Sequence, residues 1–156
     1  MSVKNDYLDS VSRIEQLHRQ FLDVMKLELD RLDIRDINNV QALVLYNVGG
    51  DELTVGELTQ RGYYLGSNVT YNLKKLIDAG YISQNRSTHD RRSVRIKLTA
   101  AGLKLRRLLD KVFERHANEL TSATLTPQDL VELDQTLRRL EQFWAMTTMQ
   151  GGHNQR

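Results

Sequence analysis

Two narrow apolar seams, one near each end of the chain, constrain the fold most strongly. The spacing alternates between four and three residues in both, and this 3.5-residue period is typical of an amphipathic helix that packs along another helix. We therefore expect long terminal helices whose seams pair with a second copy of the chain. The seams consist of Tyr7, Val11, Ile14, His18, Phe21 and Met25, and of Leu130, Leu133, Leu137, Leu140 and Trp144.

Between the seams the sequence predicts a series of shorter elements. Asn38 and Gln41 have the spacing of a helix-capping box, and Thr54 and Glu57 repeat it. Glycine follows two of the apolar patterns, where helices commonly end. The predicted elements, in order, are helices over about 5–32, 38–49, 54–61 and 67–79, strands over 81–85 and 94–98, and two long helices that begin at Thr99 and Pro127.

The pattern switches to a period of two after Gly80, which indicates a hairpin with a polar, basic tip over 86–93. Two short helices, a tight turn and such a hairpin form the outline of a winged helix-turn-helix. We expect a mostly α fold with a small β wing, in which this core is flanked by long N- and C-terminal dimerisation helices. The predicted domains are a dimerisation region over 1–36 plus 99–148, a DNA-binding domain over 37–98 and a disordered tail over 149–156.

Charge supports an interaction with phosphates. The segment from Arg61 to Lys97 holds eight basic and two acidic residues, a local charge of +6, whereas the whole chain of 156 residues carries only +2. Positive charge gathered on one unit suits a nucleic-acid partner.

Other classes of protein find little support. The chain has no cysteine, so disulfide scaffolds, thiolate zinc sites and thiol redox sensors are excluded. The four histidines share no metal-ligand spacing, and no phosphate-binding glycine loop, nucleophile elbow or carboxylate pair occurs. We expect neither a metal, a cofactor nor an enzyme activity. Without a signal-peptide pattern or an apolar run of membrane-spanning length, we expect a cytoplasmic protein that does not contact the membrane.

Two parts of the sequence resemble the MarR family of bacterial transcriptional regulators. The more specific part runs from Asp90 to Gly102, where Asp-x-Arg is followed by an alternating strand and a Leu-Thr-x-x-Gly helix start. The chain departs from the family at Gly66, where an arginine is usual, and the turn holds two adjacent tyrosines. The other part comprises Leu58-Thr59-Gln60-Arg61, Val69-Thr70, Leu73, Leu76 and Gly80-Tyr81-Ile82.

The resemblance implies a homodimer that binds a palindromic operator in double-stranded DNA, more often as a repressor than as an activator. It implies that Arg92 enters the minor groove and that Asp90 orients it. The residue types predict base-edge contacts for Asn68 and Thr70 on the recognition helix. The candidate DNA-binding residues are Ser67, Asn68, Thr70, Tyr71, Lys74, Lys75, Arg86, Asp90, Arg91 and Arg92.

The resemblance also implies a small aromatic or phenolic ligand in a cleft between the dimerisation helices and the helix-turn-helix. Apolar walls with a few phenol hydroxyls suit such a molecule, although the same residues could simply pack this junction. The alternative function is a winged-helix adaptor that binds protein or ligand without DNA. The candidate ligand-binding residues are Phe21, Met25, Leu43, Tyr46, Leu58, Tyr63 and Tyr64.

Overall fold

A computed structural model describes residues 2–61, 68–86 and 94–153. These ranges are mostly helical with a small antiparallel sheet, which confirms the predicted fold class. The helices are α1 (Val3–Arg31), α2 (Asn39–Val48), α3 (Val55–Arg61), α4 (Val69–Asp78), α5 (Ala100–Ala123) and α6 (Pro127–His153), and the strands are β1 (Leu53–Thr54), β2 (Ile82–Arg86) and β3 (Val94–Leu98).

The chain divides into two compact units, Met1–Lys111 and Val112–Arg156, with the boundary inside α5. In the first unit α2 is the most buried helix, because Ala42, Val44, Leu45 and Val48 are all fully inaccessible to solvent. Helix α1 packs against α2, and the Asn39 side-chain amide donates a hydrogen bond to the Leu22 carbonyl oxygen at 2.9 Å. The core of this unit is therefore built around α2.

Both ends of α2 form as the sequence predicts. Asn38 Oδ1 accepts a hydrogen bond from the Gln41 N–H at 2.8 Å, and Gln41 Oε1 accepts one from the Asn38 N–H at 3.0 Å. The reciprocal pair is a complete capping box. The helix stops at Gly49, whose φ of 72° suits glycine far better than other residues.

The sheet has the strand order β1-β3-β2, and both pairings are antiparallel. Leu53 pairs with Ile96, and Arg86 pairs with Val94. Strand β1 was not expected, because it has only two residues and its partner lies far along the chain. Thr54 nevertheless also caps α3 as predicted, since its Oγ1 accepts from the Glu57 N–H at 3.1 Å.

Helix α6 begins at Pro127 as predicted and is longer than the sequence suggests. A capping box precedes it: Asp129 N–H donates to Thr126 Oγ1 at 3.0 Å, and Thr126 N–H donates to an Asp129 carboxylate oxygen at 2.9 Å. The helix continues to His153, so the expected disordered tail over 149–156 is wrong for residues 149–153. Residues 154–156 lie outside the described ranges. No helix of the described ranges has both the length and the apolar character needed to cross a lipid bilayer.

The start of α5 is tied to the start of β2. Thr99 N–H donates to the Tyr81 carbonyl oxygen at 3.0 Å, and Thr99 Oγ1 donates to the Gly80 carbonyl oxygen at 2.6 Å. The same hydroxyl oxygen accepts from the Gly102 N–H at 3.1 Å, which caps α5. A Cβ at Gly102 would lie far inside van der Waals contact of the Tyr81 carbonyl oxygen. Only glycine therefore permits this approach.

Tyr81 also connects this junction to the segment between α1 and α2. Its hydroxyl donates to the Asp36 carboxylate, with distances of 2.9 and 3.0 Å to the two oxygens. Burial, together with the hydrogen bond and the negative charge of Asp36, raises the pKa of Tyr81 to about 12. The phenol therefore stays protonated, and remains a donor, throughout the physiological pH range.

We predict that Gly102→Ala lowers the free energy of unfolding by about 2 kcal/mol or more, the cost of forcing a methyl group into a filled space. Alanine's better helix propensity, worth about 1 kcal/mol, is too small to offset this. Gly56→Ala is the matched control, because a Cβ there meets only Thr54 Oγ1 at 3.9 Å, and it should raise stability. Urea denaturation measures both. Equal stability of the two variants would contradict the close approach at Gly102.

Candidate nucleic-acid interface

Helix α4 has two distinct faces. Val69, Leu73 and Leu76 are buried, between 0% and 8% exposed, and α4 packs against α2 on this side. The opposite face carries side chains that can hydrogen-bond or carry positive charge. These outward residues are Thr70, Tyr71, Lys74 and Lys75, all exposed.

The outward face of α4 combines an aromatic ring with cations. Tyr71 is 57% exposed, and the Lys75 ammonium lies 5.5 Å from the centre of its ring. This distance is within the range of a cation–π contact. It places the lysine beside the ring while leaving the ammonium accessible to phosphate oxygens.

Asn68 lies immediately before α4 at the N-cap position, and its side chain makes no capping hydrogen bond to the helix. A purely structural capping role, which is the usual reason for asparagine at such a position, is therefore absent. The exposed amide can act as donor and acceptor toward a base edge.

The two long strands present further cations. On β3, Ile96 and Leu98 point to the core, whereas Arg95 and Lys97 are exposed. Arg86 is exposed at the end of β2. Together with Lys74 and Lys75, these side chains give five cations, none of which forms an ion pair with another residue of the described ranges. Such a set can bind phosphates in exchange for counterions.

The remaining predicted DNA-binding residues lie outside the described ranges. They are Ser67, Asp90, Arg91 and Arg92. Arg61, which contributed to the local charge, lies at the end of α3, and its Nη1 donates to the Val48 carbonyl oxygen at 3.4 Å. That contact gives Arg61 a structural role between α3 and the end of α2.

A buried polar pair behind α4 was missed by the sequence analysis. Gln41 Nε2 donates to Asn72 Oδ1 at 3.4 Å, and the two residues are only 5% and 6% exposed. The signal was present, because Asn72 lies three residues after Val69 and four before Leu76, on the apolar face. A polar residue in such a position calls for a buried partner.

The predicted ligand-binding residues within the described ranges fall into two groups. Met25, Leu43 and Leu58 are buried, at most 4% exposed, and belong to the core, whereas Phe21 and Tyr46 are half-buried. Tyr63 and Tyr64 lie outside the described ranges.

Tyr46 joins α2 to α5 through a polar cluster. Its hydroxyl donates to Asp110 Oδ1 at 2.5 Å, and the Arg106 guanidinium lies 5.1 Å from the centre of its ring. Arg106 Nη1 also lies 3.8 Å from Asp110 Oδ2. Arg106 Nε is buried and has no hydrogen-bond partner within the described ranges. Among all the residues that the structure describes, no group of three or more His, Asp or Glu side chains could hold a metal ion.

Residues 37–102 match a family model described as a winged helix DNA-binding domain. The chain is 37% identical over 145 residues to the exopolysaccharide II synthesis transcriptional activator ExpG of Rhizobium meliloti (strain 1021). That alignment covers 93% of this chain and 75% of the relative.

Solved structures with the same fold include two that contain DNA. FabT of Streptococcus pneumoniae in complex with DNA has a TM-score of 0.68 and 22% identity, covering 90% of this chain and 99% of that chain. A mutant of MarR from E. coli complexed with operator DNA has a TM-score of 0.70, 22% identity and the same coverage. A MarR transcriptional regulator of Methanosarcina mazei Go1 has a TM-score of 0.69.

The relative's identity and coverage, the matched winged helix and the shared fold agree with the motifs from Asp90 to Gly102. The chain belongs to the MarR family of winged helix transcriptional regulators.

Proposed function

We propose that this regulator acts in the cytoplasm as a homodimer that recognises a palindromic operator in double-stranded DNA. The observation that carries the proposal is the two-faced helix α4, which buries its apolar side and presents Thr70, Tyr71, Lys74 and Lys75. The FabT and MarR structures that share this fold were solved with DNA. Each protomer would insert α4 into the major groove of one half-site.

The residues divide into two roles. Asn68 and Thr70 read base edges, because an amide and a hydroxyl can each donate and accept hydrogen bonds and the threonine methyl suits a thymine methyl. The cations bind phosphates, which fixes orientation without reading sequence. For Ser67, Asp90, Arg91 and Arg92 the family resemblance supports the same interface, with Arg92 in the minor groove.

The sign of regulation has two candidates. Family resemblance favours repression by operator occupancy, and we propose this as the first. The 37% identical relative is named a transcriptional activator, which favours activation as the second. Fusing the regulated promoter to a reporter, in cells with and without the protein, separates the two.

The experiment that tests DNA binding is selection of bound duplexes from fragmented genomic DNA, followed by gel shifts against the best duplex and a scrambled one. A winged-helix adaptor would retain neither duplex, even at low salt. A DNA-binding regulator would bind both at low salt and prefer the selected one at higher salt.

Lys74→Ala should weaken binding about equally for the selected and the scrambled duplex and should reduce the slope of log affinity against log salt by about one. The reason is that a phosphate contact releases counterions but carries no sequence information. Lys26→Ala is the matched control, because it removes one exposed lysine from α1 and should leave the slope unchanged. An unaltered slope in Lys74→Ala would remove this lysine from the interface.

The homodimer is supported by apolar residues that a single chain leaves accessible. Leu8 and Leu17 on α1 are 48% and 54% exposed, and Leu133 and Leu137 on α6 are 50% and 40% exposed. Leu133 and Leu137 lie four residues apart on one face of α6, a spacing that is typical of a helix surface that packs on another helix.

Replacing both Leu137 and Leu140 with glutamate should dissociate or unfold the dimer, because two charges would be placed in an apolar contact. The control is the double variant Gln135→Glu and Gln142→Glu, which introduces the same two charges on the face of α6 opposite the apolar seam. Light scattering measures the mass of each variant. A folded monomeric wild type at micromolar concentration would overturn the dimer.

We also propose that a small aromatic acid or phenol lowers operator affinity. Half-buried Phe21 and Tyr46, with the Arg106 guanidinium beside the Tyr46 ring, support a site that takes a planar ring and a negative charge. Met25, Leu43 and Leu58 belong to the packed core and would join the site only where the ligand displaces that packing. The ligand would act by binding more tightly to the dimer conformation in which the spacing of the two recognition helices does not match the operator.

Benzoate or phenol should raise the melting temperature and weaken binding to the selected duplex, whereas acetate should do neither. Tyr64→Ala should reduce both effects while the ligand-free protein remains folded. Thermal shift and gel shift read the two responses. A screen of aromatic acids and phenols without either response would leave these residues as ordinary core.

A further inference from the structure

The apolar face of α4 does not by itself determine how the helix is oriented. Burial of Val69, Leu73 and Leu76 holds the helix in the fold, but the hydrophobic effect has no directional preference. A small rotation or slide of α4 would keep most of this burial and would still displace Tyr71 and Lys74 on the outward face. Recognition of base edges needs a directional contact as well.

The Gln41–Asn72 pair provides a directional contact between the middle of α4 and α2. Gln41 uses both ends of its amide: Oε1 accepts from the Asn38 N–H at 3.0 Å, and Nε2 donates to Asn72 Oδ1 at 3.4 Å. Because a backbone N–H can only donate, the Gln41 atom that faces Asn38 must be the oxygen. The nitrogen therefore faces α4, and Asn72 must present its oxygen.

A series of hydrogen bonds thus runs from the capped start of α2, the most buried helix, to the middle of α4. Thr70 and Tyr71 lie one and two residues before Asn72, so the buried contact and the exposed side chains share one turn of helix. Both members of the pair are almost fully buried, and in such surroundings a broken hydrogen bond is not replaced by water.

We propose that Gln41 and Asn72 are positioning residues that set the orientation of α4 on the DNA, and hence sequence discrimination, without touching DNA. The proposal rests on the proposed DNA-binding function. In some other proteins, a buried polar pair selects one packing arrangement of helices among several that bury similar apolar area, at some cost in stability. Here the arrangement that is fixed is that of the recognition helix.

The test separates stability from discrimination with two variants. Asn72→Leu leaves the Gln41 amide nitrogen without its partner, whereas the double variant with Gln41→Leu and Asn72→Leu replaces the pair by apolar side chains. Removing both partners restores the part of the stability that is lost when one buried partner is left unpaired, whereas the bond from the Asn38 N–H to Gln41 stays lost. Leu73→Ala is the matched control, because it removes buried apolar contact from the same helix and keeps the pair.

For each variant, gel shifts give the ratio of affinities for the selected and scrambled duplexes, and thermal unfolding gives the stability. We expect both Asn72→Leu and the double variant to lower affinity for the selected duplex about tenfold, comparable to one mismatched base pair. Affinity for the scrambled duplex and the salt slope should stay at wild-type values. The double variant should recover only part of the melting temperature, because Gln41→Leu also removes the acceptor for the Asn38 N–H, and it should not recover the ratio.

Recovery of the ratio in the double variant would overturn the positioning role, as would an equal loss of ratio in Leu73→Ala. If Asn72→Leu does not fold, the double variant alone decides between these outcomes. A wild-type protein that binds neither duplex would overturn the proposed function itself. Loss of affinity in Lys74→Ala with an unchanged ratio in the double variant would leave the function standing and reject only the positioning.

Discussion

The contact on which the arrangement of the winged helix depends is the approach of the α5 N-terminus to the backbone at Gly80 and Tyr81. Thr99 bonds both carbonyl oxygens and caps α5 with the same side chain. Helix α4 ends just before Gly80, β2 begins just after Tyr81, and β3 ends just before Thr99. Thr99 and Gly102 therefore hold these three elements together at one point. The Tyr81 hydroxyl then joins this junction to Asp36, between α1 and α2.

Because of this junction, the exposed residues of the candidate interface are not needed to hold α4 in position. The end of α4 is fixed at Gly80, and its middle is bonded to α2 through Asn72, so contacts in the core determine where the outward side chains of α4 lie. The residue types on the outward face are consequently not restricted by packing. Tyr71, Lys74 and Lys75 are exposed, and the Asn68 side chain does not cap the helix.

Elements specified by local chemistry were predictable from the sequence, and those specified by distant pairing were not. The capping box at Asn38 and the strand alternation from Val94 to Leu98 are local patterns, and both were found where expected. Strand β1 escaped because two residues carry no period and their pairing with Ile96 is long-range. The end of α6 was misplaced because Gly151 and Gly152 indicate a stop, whereas the helix continues to His153.

The candidate site divides in the same way. The exposure of residues such as Lys74 was predictable from charge and helical position alone. The burial of Asn72 was not predictable in this way. Its polar side chain favours an exposed position, whereas its place on the apolar face of α4 favours a buried one, and the structure shows that it is buried against Gln41. Met25, Leu43 and Leu58 were chosen for apolar character, which does not distinguish the wall of a cavity from the packed core in which they lie.

In the proposed interface, affinity and discrimination have different physical origins. The exposed cations on α4, β2 and β3 would attract any duplex, because phosphates are the same in every sequence. Discrimination requires that base-edge groups return to the same place each time, and such reproducibility depends on directional bonds rather than on buried area. Under the proposed positioning role, the uncharged pair Gln41 and Asn72 supplies such a bond from behind α4. Substitutions in the core of such a regulator can for this reason alter which sequence is bound while leaving its general attraction to DNA intact.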